Sequence, residues 1–477
     1  MSPTSYRTAP PRILIVATVA HRVKPRCLPV DDSNDWSSSP GYRRVFLTQP
    51  HSSPGRDFAL PTRTVDRAVA VNGAPRTPFR MSHANHSAAK GFRLRLLEPL
   101  LHLGFALTGV GTVLLGSILP RLSAQWHLRD KDAGLLLLVQ FATSASGALL
   151  VRRNLWKALA SGYGLIGAGA IGINLLQQKS LPAFAVYGLG LGLAMTSTNM
   201  LTGRRYPQRM GAALALLNFS WSAGAVACPL LVAQFLRHAT SSTAFAVIGL
   251  AALPFALLPL LADRGDMQAA TSAGPAPTGM REATTILYFA VLAFLYVGIE
   301  ASIGNWMSTY ATRATAWTFA GSTVAVAVFW AALLLGRAMT PAILARMPEL
   351  ALYRASVFAT IAGVLLLLAA HRPLTILAGS VLSGLALAPL FPLILALFLE
   401  EIGGSRNAGW VFAVAGLGGA VLSWLTGAIS TGTGSLRIGL LVPGAAALLM
   451  LLLISRRRTS GSGKQQAVLE STATGKI

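Results

Sequence analysis

The chain has 477 residues, of which 53% are hydrophobic and only 12% charged, yet its net charge is +24. An ordinary soluble protein carries about 25% charged residues, so a water-exposed enzyme of usual surface composition is excluded. The cations sit between long apolar runs rather than on one polar face, which excludes a nucleic-acid-binding domain and points to a multi-spanning membrane protein with basic loops.

Residues 1–92 are rich in Arg, Pro and Ser and read as a disordered basic tail. The apolar run Ile13–Ala20 is too short to span a bilayer and is not followed by a small-x-small cleavage pattern. Through Lys90 this region holds 13 cations and 5 acids, so +8 of the net charge belongs to it. Met81 opens a compact polar leader just before the first long apolar run, and translation is expected to start there.

Apolar stretches then recur at 99–121, 132–151, 158–177, 182–203, 210–234, 243–262, 285–309, 317–340, 353–370, 374–399, 408–431 and 436–455. Each approaches the ~20 residues that a spanning helix needs. None shows the alternation of a barrel strand. The expected fold is therefore an all-α membrane protein of twelve helices, here termed spans one to twelve. Residues 93–262 form an N-terminal six-helix bundle and 285–455 a C-terminal one. The polar stretch 263–284, with Pro275 and Pro277, reads as a cytoplasmic linker, and 456–477 as a cytoplasmic tail.

Loop cations set the orientation. With the chain starting inside, the inward loops and carboxyl tail hold 15 Lys and Arg, Arg337 counted among them, against 8 outside. Both termini are thus expected in the cytoplasm, with the protein in the plasma (inner) membrane.

The halves look like a repeat. Gly190-Leu-Gly-Leu-Ala194 in span four parallels Gly384-Leu-Ala-Leu-Ala388 in span ten, and Gly224-Ala-Val226 in span five parallels Gly419-Ala-Val421 in span eleven. Gly147 with Arg152 and Arg153 after span two is echoed by Gly336-Arg337 after span eight. A 6+6 duplication places substrate near the midplane, between halves that rock to expose it to each side in turn.

Glu300 is the one carboxylate deep inside any of these runs. Isolated charge there costs at least about 2.5–3.5 kcal/mol, so such a residue faces a cavity or a partner. Two roles fit it: hydrogen bonding to substrate hydroxyls, or holding a coupling proton or sodium ion. A structural tie to a neighbouring helix is the alternative. Tyr296 shares its helix face, and Asn305 and Trp306 follow close by. Asn199 in span four and Asn218 with Trp221 in span five offer amides and an aromatic face. That combination suits sugars, which present C–H faces beside hydroxyl rims. Gln140 in span two is a further polar candidate. Pro389 and Pro392 around Phe391 predict a bent or broken span ten that could serve as a gate.

Other motifs lead nowhere. Gly162-Tyr-Gly164-Leu-Ile-Gly167 matches a dinucleotide fingerprint by letter, but it lies within an apolar helix and follows no strand. Cys27 and Cys228 support no disulfide framework, and His102 has no second ligand nearby, so neither metal nor cofactor is expected.

Tyr296-Val-Gly-Ile-Glu300-Ala-Ser302-Ile-Gly304-Asn-Trp306 resembles the span-seven signature of sugar transporters in the major facilitator superfamily, in the fucose–galactose–glucose:proton symporter group. Gly116-Ser-Ile-Leu-Pro120, Asn218-Phe-Ser-Trp221 with Gly224 and Pro229, and Gly409-Trp-Val-Phe412 with Gly416 and Gly418-Gly419 are similar to that group too. The resemblance implies the major facilitator fold and transport of a small polar solute, a monosaccharide above all, by a protein that works as a monomer. Two features depart from the group: no Asp follows Gly147, and spans one and four lack the acids its proton-coupled members carry. An exporter of a drug-like or other metabolite on the same fold is the alternative. A membrane-embedded enzyme is a distant one, because it would need clustered acids, histidines or a nucleophile–base pair.

Overall fold

The computed structural model describes residues 81–151, 154–262, 279–402 and 409–454. The tail through residue 80, most of the linker and the carboxyl tail lie outside the described residues, and the expectations placed on them with it. Among the described residues every regular element is helical, and twelve helices are long and apolar enough to cross a membrane. They are Leu96–Trp126, Asp130–Leu150, Leu155–Lys179, Leu181–Arg205, Pro207–Phe235 and Ser241–Leu261 in the first half. The second half has Glu282–Ala314, Phe319–Leu344, Glu349–Leu368, Pro373–Phe398, Ala413–Thr433 and Leu436–Ile454. Spans one to twelve carry these bounds below.

Local chemistry sets several boundaries. The Asn154 side chain accepts from the Lys157 amide at the start of span three, and Thr240 and Thr318 do the same for spans six and eight. Pro182, Pro207 and Pro373 occupy first-turn positions, where a missing N–H costs nothing. The helix of span one begins at Met81, so the polar leader is helical, and that of span seven begins at Met280, inside the expected linker. Polar residues extend both helices because a helix already stabilised in an apolar setting propagates cheaply. Span ten is interrupted at Ala388–Pro389, where its helix stops at Leu387 and resumes at Leu390.

The duplication is visible in the packing. Span five crosses span one where a Cβ on Gly224 would stand 2.0 Å from the Ala106 carbonyl oxygen. Span eleven crosses span seven where a Cβ on Gly418 would stand 1.9 Å from the Phe294 carbonyl oxygen. Only glycine permits such close backbones. The structural counterpart of Gly224 is thus Gly418, one residue before the Gly419 match, and its offset equals that of Gly190 and Gly384. Gly162 meets the Ala194 backbone of span four in the same way, and Gly167 makes room for the Leu253 side chain of span six.

Candidate functional site

Span eight places Arg337 seven residues before its end at Leu344, within the helix rather than in the following loop. This corrects the loop assignment: Arg337 is a helical residue of span eight whose side chain turns toward the neighbouring spans. Its Nη2 donates to Tyr296 Oη at 3.2 Å and to Glu300 Oε1 at 3.4 Å. Its Nη1 donates to Ser222 Oγ of span five at 3.4 Å. The charge that isolated Glu300 would carry into the bilayer is thereby matched by an opposite one. Glu300 and Tyr296 lie one turn apart on span seven and are both buried.

Two indoles cap this group. Trp330 lies two turns before Arg337, on the same face of span eight. Its ring covers Gly304, where a Cβ would stand 2.9 Å from Trp330 Cζ2, one turn beyond Glu300. Trp221 of span five meets Trp330 edge-on, with ring centroids 5.6 Å apart. Both indole N–H groups are buried without an acceptor among the described residues. On the other side Phe391, just past the break in span ten, stacks at a tilt on Tyr296, with ring centroids 5.4 Å apart. The cluster therefore joins span five of the first half to spans seven, eight and ten of the second.

Of the residues singled out from sequence, Glu300, Tyr296, Trp221 and Phe391 come together here. Pro389 sits at the helix break and Pro392 one turn on. The amides of Asn199 and Asn218 donate to the carbonyls of Met195 and Leu214 in their own helices, and Asn218 is exposed one turn from Ser222. Gln140 is buried and donates to the Thr112 carbonyl at 3.3 Å, leaving its Oε1 without a donor among the described residues. Asn305 is buried against Gly116 of span one, its Nδ2 likewise without a partner. Trp306 points the other way, into span eleven, where its Nε1 donates to the Ser423 carbonyl at 2.9 Å. His102 bonds Ser220 at 2.8 Å, tying spans one and five.

A second charged group holds the halves together on the face where span one ends and span two begins. Arg313, at the end of span seven, grips Asp130, at the start of span two, through Nη1–Oδ2 at 2.6 Å and Nη2–Oδ1 at 2.7 Å. Ser430 of span eleven donates to the same carboxylate at 2.5 Å, and the Lys131 amide donates to Thr431 Oγ1 at 2.8 Å. Beside them a Cβ on Gly427 would stand 2.4 Å from the Asp130 carbonyl oxygen. At the same face Arg121 of span one lies over the Phe319 ring of span eight, 4.9 Å from its centroid. These contacts form a latch that ties the two halves together at that face.

Comparison with known proteins agrees with this architecture. Residues 101–408 match the family described as the Major Facilitator Superfamily. Among solved structures the chain is similar to the major facilitator transporter FucP in its outward conformation, at 17% identity and a TM-score of 0.54. It is also similar to a variant of the E. coli fucose:proton symporter FucP, at 16% identity and a TM-score of 0.51. Each likeness covers 76% of this chain and 98% of the other, and at these identities it speaks for a shared fold. No curated protein sequence matches the chain. The chain belongs to the major facilitator superfamily: it is a multi-pass membrane protein and a transporter, not an enzyme.

Proposed function

We propose that this member of the superfamily carries a monosaccharide across the cell membrane, by alternating access of a site between its two six-helix halves. The observation that carries the reading is the Ser222–Arg337–Glu300–Tyr296 group, which joins the halves by polar contacts deep within the spans. Polar groups there supply both donors and acceptors for hydroxyls, and the indoles of Trp221 and Trp330 supply faces for sugar C–H surfaces. The similarity to FucP, a fucose:proton symporter, supports the same substrate class. Glu300 is the group able to gain or lose a coupling proton. A proton on Glu300 removes its charge-assisted contact to Arg337, the side chain that also reaches Ser222 of the first half.

The test is counterflow of radiolabelled hexoses in proteoliposomes holding the purified chain. Trans-stimulated hexose entry is expected. Absence of any sugar movement, together with export of an unrelated solute, would defeat the sugar reading and leave the transporter fold standing.

A further inference from the structure

Resting on that reading, we propose that the preferred solute is a monosaccharide bearing one carboxylate, a hexuronate or aldonate, and that it crosses together with one proton. The argument begins with how the two arginine pairs of this chain differ. Arg313 holds Asp130 bidentately at 2.6 and 2.7 Å, which is the full strength of the guanidinium fork. Arg337 meets Glu300 through one nitrogen at 3.4 Å, and its other contacts, to Tyr296 and Ser222, are 3.2 and 3.4 Å. A guanidinium only about a quarter exposed and given only long, single contacts keeps unused capacity for a planar, two-oxygen acceptor.

The surroundings have the same bias. Trp221, the chain neighbour of Ser222, and Trp330, two turns before Arg337 on its own helix, each hold a buried N–H without an acceptor among the described residues, and both are donors. Two N–H groups without an acceptor favour a ligand that adds acceptor atoms, and a carboxylate adds two.

Charge balance then supplies the proton. The site's own charged groups are one cation and one carboxylate. A solute carboxylate that takes the Arg337 fork leaves Glu300 as an unmatched anion in the membrane interior, a costly state. Glu300 removes that cost by accepting one proton from the aqueous phase, becoming a carboxylic acid as its contact to Arg337 breaks and the solute's forms. Each cycle moves one anion and one proton, and both the loaded and the empty carrier reorient without net charge.

No other ionisable group competes for this role. Span eleven, which packs on span seven, has none among its described residues, and the two acids on the helix of span ten, Glu400 and Glu401, lie at its carboxyl end beyond Phe398. In span one, His102 is turned to Ser220, and Glu98 and Arg121 lie near opposite ends of the span. In span eight Arg337 is the only charged residue. In span five Cys228 is buried beside Ser117.

The experiment uses full-length protein in proteoliposomes, with labelled galacturonate, galactose and galactose 6-phosphate as probes. Galacturonate uptake is expected to be driven by an acid exterior, to be insensitive to an imposed potassium-diffusion potential, and to exceed galactose uptake about tenfold at equal concentration. Arg337→Gln should lower galacturonate affinity about tenfold or more, with Arg337→Lys losing less. Glu300→Gln should flatten the pH profile. Melting of each variant reports whether it is folded. Preference for galactose or the phosphate, potential-driven uptake, or an unaltered galacturonate affinity in folded Arg337→Gln would overturn the proposal while leaving sugar transport intact. Movement of no sugar at all would overturn the reading on which it rests.

Discussion

The latch between Asp130 and Arg313 makes a prediction with an internal asymmetry. The Arg313 side chain is 47% exposed and that of Asp130 only 9%. Removing the acid (Asp130→Asn) leaves a guanidinium that can turn into water, so the closed state loses two charge-assisted bonds and little else. Removing the base (Arg313→Ala) leaves a largely buried carboxylate with Ser430 as its remaining donor among the contacts described. A fully buried pair broken this way costs about 3–5 kcal/mol and an exposed one under about 1 kcal/mol. With one partner half exposed, about 1 kcal/mol for Asp130→Asn and about 2 kcal/mol for Arg313→Ala are expected. These correspond to roughly fivefold and thirtyfold falls in the ratio of latch-closed to latch-open protein. Spin labels on Arg129→Cys and Arg372→Cys, both exposed positions at that face, read the populations by double electron–electron resonance. Unchanged distance distributions in both variants, or a larger shift for Asp130→Asn, would refute the reasoning.

Further expectations follow from the same contacts. Glu300→Gln should lower acid-driven uptake about tenfold, since the amide takes up no proton, and should lower the melting temperature without unfolding the protein, since Arg337 loses its counter-charge; parental acid-driven uptake in a folded variant would contradict it. Trp330→Phe retains a ring over Gly304 but deletes an N–H that has no protein acceptor, so affinity should fall with little effect on stability, which a binding isotherm beside a melting curve separates. Gly418→Ala drives a methyl into the Phe294 carbonyl and should destabilise by about 1–3 kcal/mol. Gly164→Ala has nothing within 4 Å of the new methyl and should melt no lower than the parent. Equal melting of the two glycine variants would show that the crossing of spans seven and eleven is not close-packed.

Long apolar runs and glycine spacing made the twelve helices and the duplication legible, because both arise from short-range constraints: helix length against bilayer thickness, and small residues where backbones cross. Glu300 was legible for a similar reason, since a lone carboxylate in an apolar run needs a cause. Arg337 was not recognised, although the run assigned to span eight, 317–340, already enclosed it. Counting it as a loop cation hid the counter-charge of Glu300. Trp330 and Ser222 carry no sequence signal of their own, and they matter only because spans five and eight cross there. The latch stayed hidden because Asp130 and Arg313 are 183 residues apart and lie at helix ends, where charges are commonplace. Residue type marks a buried charge, but its partner emerges only when helices pack.

The central claim is that transport requires the two halves to part alternately at either face. Cysteines at Lys131 and Thr431, whose backbone amide and side-chain oxygen are 2.8 Å apart, lie within range of a disulfide that would lock the latch shut. Counterflow of labelled monosaccharide by this double variant should proceed in reductant, stop on oxidation and resume when the disulfide is reduced. Undiminished counterflow with the disulfide fully formed would contradict the account.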